Sequence, residues 1–200
     1  MYYLVDMYND KTNFIDGIDS DTCQKILNSS TIISETLEFY YLGKCVSDSF
    51  DTLIQWSYSA NPSSNYIMRN LHTAERLVRG FLFELRTCLD HMETKIKQEY
   101  GKTSEFLKVF EDSTHATYNA HPEYAFTYHL RNVSQHCQNI VHGFNSPTGI
   151  GISCNVQKLL NEYDKWKPVD KDYMINSGEN VDLLKTFSVA FQAFNEALIP

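Results

Sequence analysis

Charge is what one long stretch of this chain lacks. Between Glu123 and Lys158 the only Asp, Glu, Lys or Arg is Arg131, while His129, His136 and His142 are all present. A helix face that merely wets solvent normally carries Glu and Lys. Here the polar positions carry amides, imidazoles and one guanidinium, which marks a site or an interface. Basic residues are scarce overall, with 17 Lys and Arg against 25 Asp and Glu and a formal net charge of −8. That balance argues against broad, non-specific binding to nucleic acid, so a polyanion site has to be a local basic patch.

Long apolar runs are also missing. No run of about 18 apolar residues exists, so no membrane span is expected. Met1 to Asp10 has neither a basic nor an apolar segment of the kind a secretory signal needs, so a cytoplasmic protein is expected. The five cysteines, Cys23, Cys45, Cys88, Cys137 and Cys154, are scattered and form no C-x-x-C pair. Neither a disulfide framework nor a zinc site is indicated, and they read as reduced packing groups. His91, His115, His121 and His129 match no standard ligand spacing, so no metal or cofactor is expected. Asp6, Asp10, Asp16, Asp19 and Asp21 faintly resemble a calcium loop around Asp16-Gly17. The bidentate Glu is absent, so a solvated acidic face is expected. Asn132-Val133-Ser134 matches a glycosylation sequon only by chance in a cytosolic chain.

What is present reads as a mainly α protein with short β segments. Residues 1–62 are expected to be an N-terminal extension or subdomain, and 63–200 a helical domain. In the first part, Ile32 to Leu42 fits a helix starting near Ser29-Ser30 or a β-rich segment. Thr52 to Tyr58 fits a short strand, and the aromatic run Phe39-Tyr40-Tyr41 is expected in the core. Asn61 to Ser64 breaks the chain, with Ser63 or Ser64 suited to cap the next helix.

A long helix is expected from Asn65 to Tyr100, ended by Gly101. At about 100° per residue, Ile67, Leu71, Val78, Phe81, Leu82, Leu85, Leu89, Met92 and Ile96 share one apolar face. Arg69, His72, Arg76, Arg79, Arg86 and Lys97 gather on an adjacent stripe, diluted by Glu75, Asp90 and Glu93. A second helix is expected from Ser104 to Ala116. A third runs from Glu123 to His142, Pro122 suiting its first turn. Its buried face is Leu130, Val133, Cys137, Ile140 and Val141. Its polar arc is Tyr128, Arg131, Asn132, Gln135, His136, Asn139 and His142, with Arg131 and His136 about 140° apart. A loop at Asn145 to Gly149, a β-like piece at Ile150 to Cys154, and helices at Val156 to Trp166 and Val181 to Leu198 complete the reading.

Arg and His on one polar face suit metal-free RNA cleavage. The 2′-hydroxyl is the internal nucleophile, and an imidazole can take its proton or protonate the leaving oxygen. A guanidinium can fork onto the phosphate and stabilise the added negative charge. Asn132 and Gln135 can orient either group. Arg76, Arg79 and Arg86 are candidates for flanking phosphates.

Arg131-Asn132-Val133-Ser134-Gln135-His136 is R-N-x-x-x-H, and with the preceding Leu130 it resembles the HEPN superfamily. The long helix upstream, Asn70 to Glu93 with Leu71, Leu77, Arg86, Leu89, Asp90 and His91, is similar too. The resemblance covers roughly residues 65–145. It implies a helical bundle that dimerises and brings two Arg/His motifs to one cleft. It implies a metal-independent endoribonuclease leaving a cyclic phosphate, of the kind found in toxin–antitoxin, abortive-infection and CRISPR systems, with an antitoxin or regulatory protein as partner. By position, Arg131 would bind the scissile phosphate, His136 would be the acid/base and Asn132 the supporting polar group. Glu84 or, by preference, Asp90 would be the acidic residue of the long helix. The alternative is a catalytically inactive HEPN-like module that binds a protein or nucleotide, and a third reading is a structural domain whose polar face is a dimer interface.

Overall fold

The computed structural model describes residues 2–8, 11–60, 67–136, 139–144 and 151–198. Among these the chain forms seven helices and five strands and is mainly α. It divides into two compact units, Met1–Leu42 and Gly43–Pro200, the division falling inside the first helix.

In the first unit, β1 (Tyr2–Tyr8) and β2 (Lys11–Ile18) pair antiparallel, with Tyr2 opposite Ile18 and a register shift between Leu4 and Val5. The helix α1 (Ser20–Ser59) follows directly. Asp19 starts it: Oδ1 accepts the Thr22 N–H at 2.8 Å and Oδ2 accepts the Thr22 hydroxyl at 2.9 Å. Satisfying an orphan N–H this way is the work of an N-cap. The same bonds hold the Asp19 carboxyl below its ordinary pKa. Asp19 is therefore a helix cap. The helical alternative for Ile32 to Leu42 holds, with the helix beginning ahead of Ser29. The aromatic run is a correction, because Tyr40 is 60 % and Tyr41 59 % exposed. Three consecutive residues sweep most of a helix circumference and cannot all face one core.

In the second unit, Thr52 to Tyr58 is the end of α1 and not a strand. Val46, Leu53 and Ser57 are buried at helical spacing. Phe50 stacks on Phe191 at 4.7 Å and lies 5.5 Å from Phe81. Packing thus overrides the β preference of Thr52 and Ile54. The helix α2 (Ile67–Tyr100) buries Val78, Phe81, Leu82, Leu85, Leu89 and Met92, as its periodicity demands. Each fully buried side chain of this kind contributes about 1.5–3 kcal/mol. Gly101, at φ 93°, ends it. The helix α3 (Glu105–Ala120) is capped by Ser104, whose side chain accepts the Leu107 N–H, and it runs past Ala116 to the His121 break.

The helix α4 (Pro122–His136) is central and packs against α2, α3 and two later helices. Tyr124, Ala125, Phe126, Thr127, Leu130, Val133 and Ser134 are buried, so most of its circumference is covered. Among the described residues it is helical to His136 and no longer so from Asn139, instead of reaching His142, a correction. Residues 140–142 are held by tertiary partners. Glu75 Oε2 accepts the N–H of Ile140 at 3.0 Å and of Val141 at 2.8 Å, and the His142 N–H donates to Ser153 O at 2.8 Å. Those bonds lead the chain into β3 (Gly143–Phe144), which pairs with β4 (Ile152–Asn155). The expectations at Cys137, at Asn61 to Ser64 and at Asn145 to Gly149 lie outside the described residues.

A short helix, α5 (Val156–Glu162), ends at the cap Tyr163, before Trp166. Trp166 Nε1 instead donates to Leu159 O at 3.0 Å. The helix α6 (Pro168–Asn176) was not expected from the sequence. Strand β5 (Asn180–Asp182) completes the sheet order β3-β4-β5, so the last helix, α7 (Leu183–Leu198), starts after Val181. Phe81 of α2 and Phe187 of α7 meet at 5.0 Å in the core, and Phe194 of α7 is buried too.

Candidate functional site

The last two turns of α4 carry the Arg/His motif. Arg131 is half-buried, and its Nη1 donates to Gln135 Oε1 at 2.7 Å. Its Nε is buried without a partner. Gln135 and His136 are exposed and Asn132 is half-buried. Arg131 and His136 stand about 140° apart around the axis, so within one chain they flank a polar arc and do not touch. Asn139 and His142, expected on that arc, lie beyond the helix. His142 turns inward, where Nδ1 accepts the Asn155 N–H at 2.9 Å. Burial, and then the Lys158 charge, push its pKa below the ordinary value.

The basic stripe of α2 divides into different roles. Arg76 is exposed. Arg79 Nε contacts Glu75 Oε1 at 2.7 Å, and its Nη1 donates to the carbonyl of Ser134. Arg86 holds Asp90 in a fork, Nη2 to Oδ1 at 2.9 Å and Nε to Oδ2 at 3.0 Å. The Arg86 guanidinium also lies 4.4 Å from the Tyr128 ring centroid. Arg79 and Arg86 thus tie α2 to α4, and Asp90 is placed against Arg86.

Arg86, Asp90 and Tyr128 belong to the wall of a cavity of about 550 Å³ between α2, α3 and α4. Tyr118, Tyr128 and His129 meet there like three sides of a box corner, their planes 85°, 86° and 87° apart pairwise. His129 Nδ1 lies 2.7 Å from Oδ2 of Asp170, which is fully buried. The same oxygen accepts the Lys167 N–H at 2.9 Å. A contact that short is a hydrogen bond, and it fixes the ring orientation and leaves Nε2 as the other interacting nitrogen. The Tyr118 hydroxyl is 3.4 Å from Nδ1. Two polar atoms around this cavity are buried without a partner, the Tyr124 hydroxyl and Asp170 Oδ1. Burial raises the pKa of the Tyr124 phenol strongly. Burial and then the Asp170 charge raise that of Tyr118.

Sequence reasoning did not single out Lys167 or Asp170. A signal existed in Lys167-Pro168-Val169-Asp170, with Pro at the first position of a helix and Asp at the third. That pattern announces α6 but says nothing of His129, which only the fold brings to Asp170.

Compared with known proteins, the chain matches no family model, no curated protein and no solved structure.

Proposed function

We propose that the second unit is a HEPN-type, metal-independent endoribonuclease of toxin or defence type, acting as a homodimer in the cytoplasm. The observation that carries the reading is the bracing of Arg131 by Gln135 at 2.7 Å beside an exposed His136. A guanidinium tethered through one nitrogen keeps donors for a phosphate, and its position is fixed before substrate arrives. In the reaction, the 2′-hydroxyl gives its proton to a base and its oxygen bonds to phosphorus. The bond from phosphorus to the 5′-oxygen breaks as that oxygen takes a proton. The products are a cyclic phosphate and a 5′-hydroxyl, with no co-reactant. Two copies of His136 across the dimer serve as base and acid, and Arg131 with Asn132 holds the phosphate. Arg76, an exposed cation of the stripe, contacts flanking backbone.

The test is cleavage of a single-stranded RNA in EDTA by the full chain. Wild-type protein cleaves, while His136→Ala and Arg131→Ala each lose at least about 100-fold at unchanged circular dichroism. Cleavage persisting in both variants overturns the assignment. The cavity favours one second reading, a binding module without turnover, which predicts saturable ligand uptake and no cleavage.

A further inference from the structure

We infer that the first half of α1 is an interaction surface, and that its partner is the same helix of a second copy of this chain. This stands apart from the dimer of the RNA reading, which needs the ends of α4 to meet and uses no residue of the first unit.

Burial changes along α1. From Val46 onward the helix buries residues at helical spacing, at Val46, Leu53 and Ser57. From Ser20 to Leu42 no residue is buried. Yet Ile26, Leu27, Ile33, Leu37, Tyr40 and Tyr41 lie in that stretch, each between 44 % and 60 % exposed. They are sorted to one side. At about 100° per residue, the six fall within an arc of about 140°. The charged residues of the stretch, Asp21, Lys25, Glu35 and Glu38, all fall outside it. A helix solvated all round gains nothing from such sorting, whereas a helix that lays one face on a partner does.

Spacing gives the partner's shape. Ile26, Ser30, Ile33, Leu37 and Tyr40 follow one another at steps of four, three, four and three, the rhythm by which one helix seats on another. Leu27 and Tyr41 widen the strip on one side.

Charge and area single out a second copy. In a two-fold pairing each strip meets an identical strip, so any charge on it would face its like. This strip carries none. A helix that lies on a lipid surface instead sets Lys and Arg beside its apolar face, and here Lys25 stands alone against three carboxylates. The six apolar side chains leave on the order of 700 Å² exposed per copy, close to the about 800 Å² per partner of a standard-size interface.

The experiment is sedimentation equilibrium of the full chain across micromolar concentrations, with amide hydrogen exchange on the same samples. The wild type is expected to associate. Ile33→Glu combined with Leu37→Glu weakens association by at least roughly tenfold, because carboxylates then face carboxylates. Ile32→Glu, which adds a charge on the far side of the helix, leaves it unchanged. All three side chains are at least 45 % exposed, so the variants keep the wild-type circular dichroism. In the wild type, exchange over residues 20–42 slows as concentration rises, because pairing protects amides that an uncovered helix leaves open, a readout that needs no variant. The inference is overturned if the wild type is monomeric throughout, if the double variant associates as tightly, or if Ile32→Glu weakens association as much. It is equally overturned if exchange over residues 20–42 is independent of concentration, or if a monomeric chain binds vesicles of anionic phospholipid through this face. Arg131→Ala, which tests the RNA reading, keeps the concentration-dependent protection of residues 20–42, so the two readings fail separately.

Discussion

Glu75 and Arg79 lie one turn apart on α2, in contact at 2.7 Å, and each holds a different side of the end of α4. Arg79 donates to the Ser134 carbonyl inside the last turn. Glu75 accepts the N–H groups of Ile140 and Val141 just beyond it. The pair thus holds the chain on both sides of the C-terminal end of α4, at Ser134 and at Ile140 and Val141. Glu75→Ala leaves two N–H groups and a half-buried guanidinium without this acceptor. A loss of about 2–3 kcal/mol is expected, read as a lower urea midpoint at unchanged slope. Glu75→Gln, which keeps one acceptor oxygen, loses less.

The Gln135 brace makes a graded prediction. Gln135→Ala removes a single hydrogen bond to Arg131 and leaves the charge in place. On the proposed ribonuclease reading, RNA cleavage falls by about fivefold, as the loss of roughly 1 kcal/mol dictates, against the far larger loss in Arg131→Ala. Equal losses in the two variants would mean that Gln135 itself meets the substrate.

His142 gives the fold an acid sensitivity. Its folded pKa lies below the ordinary value of 6.5, from burial first and Lys158 second. The unfolded chain therefore binds the proton more readily than the folded one. The stabilising contribution of the neutral ring is complete above that value and is lost as pH falls through the lower, folded pKa. Nδ1 has to be unprotonated to accept the Asn155 N–H at 2.9 Å. Urea midpoints measured downward from about pH 7 should drop once the pH passes below 6.5 in the wild type, and less steeply in His142→Gln.

Thiol labelling should sort the cysteines by burial. Cys88 is buried and its pKa is pushed up to about 12, and Cys154 is pushed higher still by full burial. Only the thiolate reacts, so both should resist iodoacetamide until the chain unfolds. Cys45 is exposed and Cys23 partly so, and these two should label in the native protein. Mass mapping in a Cys137→Ser background reads the order.

Gly101 ends α2 at a φ of 93°, a region that L side chains rarely adopt. Gly101→Ala finds open space for its methyl group, so its cost is conformational, about 1 kcal/mol. The same substitution at Gly80, inside the helix, places its methyl 3.7 Å from Ser49 Oγ, an ordinary contact. It is expected to be neutral or stabilising, because alanine is the better helix former. Thermal midpoints compare the two.

The helices that carry their own signals were legible. Periodic apolar residues, Ser104 as a cap, Gly101 as a stop and the break at His121-Pro122 located α2, α3 and the start of α4. The end of α4 was not. Ile140 and Val141 continue the apolar rhythm of the helix, and nothing local says that Glu75 on α2 takes their N–H groups. Thr52 to Tyr58 misled for the opposite reason. Its residues favour a strand, and what makes it helical is packing that no local signal announces: Leu53 and Ser57 are buried four residues apart on one face of α1. At the motif, Arg131, Asn132, Gln135 and His136 could be picked out by the lack of charge around them. His142 was placed with them and proved to point into the small sheet.

The sequence by itself determined the mainly helical character and those helix boundaries that carry a local cap, stop or break, because such signals act within a few residues. It also determined which side chains of α4 stay polar. Only the tertiary structure decided that Arg79 braces a helix end, that Arg86 lies over Tyr128, and that Asp170 stands behind His129. Those contacts join residues on different elements, and no local rule encodes a distance that exists only after the helices have packed.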